Sequence, residues 1–365
     1  MKFSIFVPYG YELTTAEVAE TGPGWPWPPR VFEPERAILS HKHSLELWQL
    51  ADSVGFDWLT LAEHHYAPRQ MTPSPLLAAA ALSQHTRNAG IAILGVDAPL
   101  TNPIRTAEEY AMLDVFTEGR LAMAGFFRGT PNEYLTYGGN AAESRDMYEE
   151  AVELVVKAWT TPEPFGWEGR HYQYRVIAPW PRPVQQPHPP VLVSGNSPAS
   201  ADFAIRNQFN IGLAFMPLEI AARAVGYFRD KAAESGWQTT PDNVLYRTFV
   251  HVAETDEEAR RDCLTHGWGS LGGILLPAGP NRYVPALMEA GKRYGGPAMA
   301  PPEGPVLPAL CGSPETVLAG LEEIKAKTGA GIVDLIFSGD TLPHHLALRS
   351  IELFGTEVIP NARGL

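Results

Sequence analysis

Eight apolar runs of strand length recur through the 365-residue chain, and helical patterns separate them almost from end to end. The runs are Lys2–Pro8, Asp57–Ala62, Gly90–Val96, Arg120–Phe127, Pro190–Ser194, Asn210–Phe215, Val244–Val252 and Ile332–Phe337. Between them, Leu47, Leu50, Ala51 and Val54, and again Tyr148, Val152, Val155 and Trp159, space apolar residues three and four apart, as one buried helix face requires. Strands that are apolar on both faces are parallel strands covered by helices. Eight repeats favour closure into a (β/α)8 TIM barrel over an open doubly wound sheet. There is no internal repeat, low-complexity tail or charged linker, so residues 1–365 read as one barrel domain.

Three stretches interrupt the rhythm. Gly10–Ser40 follows the first strand and contains "GPGWPWPPR"; "PEPFGWEGRHYQY" and "PWPRPVQQPHPP" precede the fifth; His266–Cys311 follows the seventh strand and its helix. Loops after barrel strands lie on the face where active sites form, and the last insertion has the length and Gly/Pro content of a lid. Lys and Arg number 28 against 41 Asp and Glu, a formal charge of −13 that repels nucleic acid and anionic membranes. Two cysteines, Cys263 and Cys311, allow one optional disulfide but no disulfide framework or thiolate metal cluster. No stretch approaches the ~18 apolar residues of a membrane helix. Met1–Pro8 reads directly as a strand rather than a signal peptide, which points to a soluble, cytoplasmic protein.

At the end of the second strand stands "TLAEHHYAPRQ". Alternation puts Trp58, Thr60, Ala62 and His64 on the barrel's inner face and Leu59, Leu61, Glu63 and His65 on the outer. By the same rule Ala122, Ala124, Phe126 and Arg128 share the inner face of the fourth strand, unless a bulge reverses the parity. Two sequential histidines on a strand diverge and cannot chelate one ion, while "HKH" at His41–His43 sits at a predicted helix start and "HH" at His344–His345 lies in another; no metal site is read. "VLVSGNSPASADFA" leads from the fifth strand into a helix, with Ser194, Asn196, Ser197 and Ser200 around a glycine. Such a turn holds phosphate, although Ser197 before Pro198 is also an ordinary helix start. "GWGSLG" at Gly267–Gly272 has the letters of a dinucleotide fingerprint but follows a helix, and the chain has neither a G-x-S-x-G elbow nor a Walker loop.

"LAEHHY", "TNPIRTAEEYAMLDVFTEGRLAMAGFFRG", "PRPVQQPHPPVLVSGNS" and "CGSPETVLAGLEEI…GIVDLIFSGD…LRSIELFGTEVIP" together resemble the bacterial luciferase-like flavin-dependent monooxygenases over nearly the whole chain. The resemblance implies a (β/α)8 barrel and a two-component enzyme: reduced FMN, made by a separate NAD(P)H-dependent reductase, reacts with O2 to a C4a-peroxyflavin that oxygenates a small organic substrate. His64 matches the family's active-site histidine. Arg128 matches the arginine on the flavin phosphate, Asn196, Ser197 and Ser200 the phosphate-holding turn, and Leu94–Gly95 a frequent non-prolyl cis peptide beneath the isoalloxazine. A homodimer is usual for the family. Phe127 replaces the reactive cysteine that the luciferase α chain carries before that arginine, which disfavours light emission, and Asn196 replaces a glutamate. The longer first insertion adds Trp25 and Trp27, which with Phe127 suggest an apolar or aromatic substrate wall. Alternatives are a deazaflavin-dependent oxidoreductase of the same superfamily, a flavin-binding protein without turnover, and a metal-dependent barrel hydrolase.

Overall fold

A computed structural model describes residues 1–13, 17, 26–66, 70–266, 268, 307–339 and 342–365. The barrel strands are β1 (Lys2–Phe6), β2 (Trp58–Leu61), β3 (Gly90–Asp97), β4 (Leu121–Phe127), β5 (Val191–Ser194), β6 (Asn210–Ala214), β7 (Val244–Val252) and β8 (Ile332–Ile336). All eight coincide with the apolar runs. Neighbours pair in parallel, and β8 closes on β1 with Ile332 opposite Lys2, giving the (β/α)8 barrel. Helices α1 (Pro34–Ser53), α2 (Pro75–Ser83), α3 (Pro103–Phe116), α4 (Pro131–Tyr137) and α5 (Ser144–Thr160) accompany the first half. The second half carries α6 (Pro198–Asn207), α7 (Leu218–Glu234), α8 (Asp256–His266), α9 (Pro314–Thr328) and α10 (His344–Leu353). Several open with proline at the first position behind a side-chain cap. Asn102 accepts from the N–H groups of Ile104 and Arg105, and Ser313 from Thr316. No helix among the described residues is long and apolar enough to cross a membrane.

Two apolar layers hold the barrel. Between strands and helices, fully buried Trp159 packs edge-on against Tyr110 and donates its indole N–H to the Ala107 carbonyl at 2.8 Å. Within the barrel, Ala92, Leu94, Met123, Leu192, Leu245 and Ile332 form a separate plug. Ala122 packs against that plug as expected, but the plug's membership corrects the face assigned to the rest of β4. Met123 lies inside, whereas Ala124 and Phe126 belong to the outer layer, where Phe126 meets Tyr110 and Trp159. The reason is a bulge: the β3–β4 register shifts between Ile91 and Ala92 and again between Ile93 and Val96. Glycines permit it. A Cβ on Gly125 would stand 2.1 Å from the Ile93 carbonyl oxygen, and one on Gly95 2.7 Å from the Phe127 Cβ.

Other expectations need revision. Part of the stretch before β5 is a two-stranded hairpin, Phe165–Glu168 with Gln173–Ile177, tied to α5 through Glu150, which accepts from the Trp167 indole and from the His171 and Tyr172 N–H groups. The first insertion ends by Pro34, so His41 and His43 lie within α1, not at its start. They take separate partners there, the Tyr9 hydroxyl and the Glu12 carboxylate. A short strand, Leu310–Gly312, pairs alongside β7 outside the closed ring. Trp25 and most of the 266–311 insertion, including nearly all of "GWGSLG", lie outside the described residues.

Candidate active site

On β2 the alternation holds. The Thr60 hydroxyl points into the barrel and donates to Asp334 at 2.8 Å, while Leu59 and Leu61 join the outer layer. Past the strand, the Glu63 N–H bonds the Gly95 carbonyl and the His64 N–H the Thr72 carbonyl, so the triplet is fixed by its backbone. His64 keeps about a third of its side chain exposed, with Nδ1 3.5 Å from Oε1 of buried Glu133. Glu133 is itself anchored as the capping-box acid of α4, accepting the Thr130 N–H at 2.5 Å. Burial pushes the Glu133 carboxyl up, but the His64 ring and Thr130 outweigh it and hold it below the usual glutamate range. The result is a solvent-accessible imidazole with an ionised acid behind it. Such a pair can orient a proton donor or acceptor.

Glu63 and His65 turn away from the mouth. His65 Nε2 is 2.8 Å from Glu63 Oε1, its Nδ1 is 3.0 Å from the Tyr137 hydroxyl, and the Asp97 N–H donates to Glu63 Oε2 at 3.0 Å. Asp97 is fully buried and neither of its carboxylate oxygens has a protein hydrogen-bond partner. Burial first, then the charges of Glu63 and Glu133, push its pKa up to about 9, so at neutral pH it is a carboxylic acid. The ligand atoms of Glu63, His65 and Asp97 fall within 4.8 Å of one another, the one such group among the described residues. Glu63 and His65 are already spent on each other, and the proton on Asp97 relieves the crowding of charge. The prediction that these two residues face the surrounding layer matches the burial of both and the contact of His65 with Tyr137 on α4. The contribution of Asp97, about 30 residues further on, was missed, because nothing in "GVDAPL" shows that it will meet them.

Three strands round the barrel the donors are neutral. Phe126 pairs with Val193, so two residues further along adjacent strands stand Arg128 and Gly195. Arg128 is exposed and donates to the Ser144 hydroxyl, at the start of α5, at 3.1 Å. With the β4 parity reversed, Arg128 does not share the inner face, and alternation from Met123 assigns half-buried Phe127 to it. Ser197 caps α6: its Oγ accepts the Ser200 N–H at 3.3 Å and lies 2.9 Å from the Ser200 Oγ. Gly195 packs so closely on Ser200 that a Cβ would stand 2.5 Å from its Oγ. Asn196 departs from its expected role. Its side-chain amide brackets Ala214 on β6, donating to the carbonyl at 2.8 Å and accepting the N–H at 3.1 Å, so that group braces the turn. At the other candidate flavin contact, the described cis peptides are Trp180–Pro181 and Gln186–Pro187. Leu94–Gly95 is trans, so the cis peptide that the resemblance implied there is not found. The Trp27 N–H bonds the Tyr66 carbonyl at 3.1 Å, bringing this part of the first insertion to the end of β2.

The sequence reading also missed a charged layer just beneath the mouth. Asp334 on β8, fully buried, accepts from the hydroxyls of Ser4 and Thr60 and from Arg247 Nε on β7 at 2.5 Å. The Arg247 guanidinium lies 3.9 Å over the Phe6 ring, and its Nη2 has no protein partner. A signal existed: "VLYRTFV" and "GIVDLIF" each carry one charge in an apolar strand, and a charge inside a barrel is retained only when paired or used.

The donor set suits the phosphate of a flavin: an exposed arginine near a hydroxyl-lined helix start, a glycine-backed turn, and an apolar side chain at Phe127. Comparison with known proteins agrees in kind. A trigonelline monooxygenase oxygenase component of Acinetobacter baylyi, flavin-dependent by name, is 28% identical over 236 residues, 63% of this chain and 64% of that protein. The chain thus spans less than two thirds of that relative. An FMNH2-dependent dimethylsulfone monooxygenase of Pseudomonas putida is 28% identical over 72% of each chain. Among solved structures, monooxygenase RslO1 of Streptomyces bottropensis superposes with a TM-score of 0.77 at 25% identity over 99% of both chains. The oxygenating constituent of 3,6-diketocamphane monooxygenase from Pseudomonas putida, solved with FMN, shares the fold with a TM-score of 0.75 at 23% identity, over 99% of this chain and 98% of that one. The profile of the luciferase-like monooxygenases matches residues 1–331, and the chain belongs to that family.

Proposed function

We propose that the chain is the oxygenase of a two-component system, taking reduced FMN from a separate NAD(P)H-dependent reductase and using O2 to oxygenate a small apolar or aromatic molecule. The observation that carries this reading is the division of the mouth: an accessible imidazole backed by an ionised acid on one side, a phosphate-type donor set on the other. Reduced FMN supplies the two electrons that split O2, one oxygen atom passing to the substrate and the other leaving as water. Arg128 and the Ser197 turn would hold its phosphate through charge-assisted and hydroxyl hydrogen bonds. Leu94 and Gly95 would meet the flavin through apolar and backbone contact.

In this reading His64 holds or delivers a proton at its Nε2 while Glu133 fixes the ring through Nδ1, a general acid-base role worth ~10²–10⁴-fold in rate. Phe127 and Trp27 would exclude water from the substrate side, which keeps oxygen transfer ahead of loss as hydrogen peroxide. Arg247 is a further candidate, since its unpartnered Nη2 can meet negative charge at the mouth floor. The test supplies reduced FMN, a flavin reductase and isotopically heavy O2 with a panel of small apolar and aromatic compounds. One heavy oxygen atom in a product supports the reading. Reduced FMN that binds no better than to a Ser197→Ala/Arg128→Ala variant, or hydride transfer from a reduced deazaflavin without O2, overturns it.

A further inference from the structure

Cys263 and Cys311 are the chain's two cysteines and play no part in the site above. They meet nonetheless. Cys263 lies on the buried face of α8 and Cys311 on the short strand Leu310–Gly312, with their sulfurs 3.6 Å apart and unbonded. The backbone frame holds both: Cys311 is in register with His251 of β7, and α8 packs over the same strand. Accessibility divides the pair. Cys263 is 1% exposed, whereas Cys311 is half-buried.

We propose that Cys263 and Cys311 form a peroxide-reactive dithiol in which Cys311 attacks and Cys263 resolves, closing an intramolecular disulfide. The sulfur–sulfur contact with Cys263 lowers the pKa of the Cys311 thiol; burial and the charge of Asp256 oppose this and Arg260 assists. The same contact, with burial, raises the Cys263 thiol, so the more accessible sulfur, Cys311, is the one favoured to carry thiolate. Asp262 also opposes ionisation of both, and on β7 His251 is engaged with Asp262 at 3.3 Å.

The chemistry balances. The Cys311 thiolate attacks one oxygen of hydrogen peroxide, the O–O bond breaks, and hydroxide leaves to become water with the proton given up by Cys311. The Cys263 sulfur then attacks the Cys311 sulfenic acid, losing its own proton and displacing the second water. Two thiols and one peroxide become one disulfide and two waters. An oxygenase of the kind proposed above releases hydrogen peroxide whenever flavin oxidation fails to reach substrate, so the source of oxidant rests on that reading; the reactivity of the pair does not.

Reagent hydrogen peroxide tests it directly. The reduced chain, treated with a stoichiometric amount, is expected to lose both titratable thiols and to yield a single Cys263–Cys311 cross-linked peptide on non-reducing digestion, reversed by dithiothreitol. Cys263→Ser should trap Cys311 as a dimedone-reactive sulfenic acid at an unchanged rate, and Cys311→Ser should slow loss of the Cys263 thiol at least about tenfold. Thiols that survive this treatment in the wild-type chain, cross-links between two chains instead of within one, or a sulfenic acid appearing first at Cys263 would each overturn it. A chain that forms the disulfide with added peroxide but makes none during flavin turnover keeps the dithiol and weakens the oxygenase reading instead.

Discussion

The ends of β2 and β3 carry Glu63, His64, His65, Asp97 and, from α4, Glu133, with His64 turned to the mouth and Glu63, His65 and Asp97 buried beside it, whereas the end of β5 carries Gly195, Asn196, Ser197 and Ser200, none of which titrates near neutral pH. The charged side pulls its acids in opposite directions: the His64 ring and Thr130 hold Glu133 below its usual range against its burial, whereas burial and the charges of Glu63 and Glu133 push Asp97 up to about 9. The neutral side works by geometry: a capped helix start, a glycine pressed on Ser200, and Arg128 on the neighbouring strand end. A flavin oxygenase needs both kinds of surface, one to manage protons and one to hold a dianion without changing its protonation. The contrast places them at different strand ends of the barrel.

The sharpest way to break that division is His64→Ala. Product formation per reduced FMN consumed is expected to fall ~10²–10⁴-fold in rate, with reduced-FMN affinity little changed. Equal losses in rate and binding would move His64 to the cofactor-holding side. Arg128→Ala is the mirror experiment. It should weaken reduced-FMN binding by roughly 1.5–3 kcal/mol, read by fluorescence titration, and an unchanged Kd would remove Arg128 from the phosphate site.

Asp97→Asn probes the charged side through stability. Between the ordinary aspartate range and about 9 the folded chain keeps a proton that the unfolded chain has released. Stability therefore falls as pH rises through that window, by up to about 1.4 kcal/mol per pH unit. Denaturant midpoints between about pH 5 and pH 8 should decline in the wild-type chain and flatten in the variant. Parallel slopes would mean that Asp97 is ionised. The smallest effect belongs to Ser197→Ala, which removes the α6 cap at a cost of about 1 kcal/mol, and unfolding that stays put would show the turn to be held by Asn196 alone.

Much of this was legible in the chain. Each barrel strand could be located because a strand buried on both faces must be an apolar run, and Ser197-Pro198 announces its helix by capping chemistry that is local. His64 could be assigned to the mouth because alternation carries a strand's parity two residues past its end. The same argument failed on β4. Gly125 and Gly95 allow a bulge that depends on how closely two strands approach, and a one-residue bulge exchanges the faces of Phe126 and Phe127. Asn196 was read as a donor to a ligand, yet its amide has a nearer customer in Ala214, supplied by a different strand.

The sequence alone determined the order and kind of elements, the barrel they close into, and the residue types at each strand end, because these follow from short-range periodicity and from the need to bury both faces of a parallel strand. Only the tertiary structure decided which of those residues meet. Asp97 beside Glu63, Arg247 against Asp334 87 positions further on, and the two cysteines 3.6 Å apart all join segments distant in the chain. The energies of such pairs depend on burial and separation in space, which the linear order of residues does not contain.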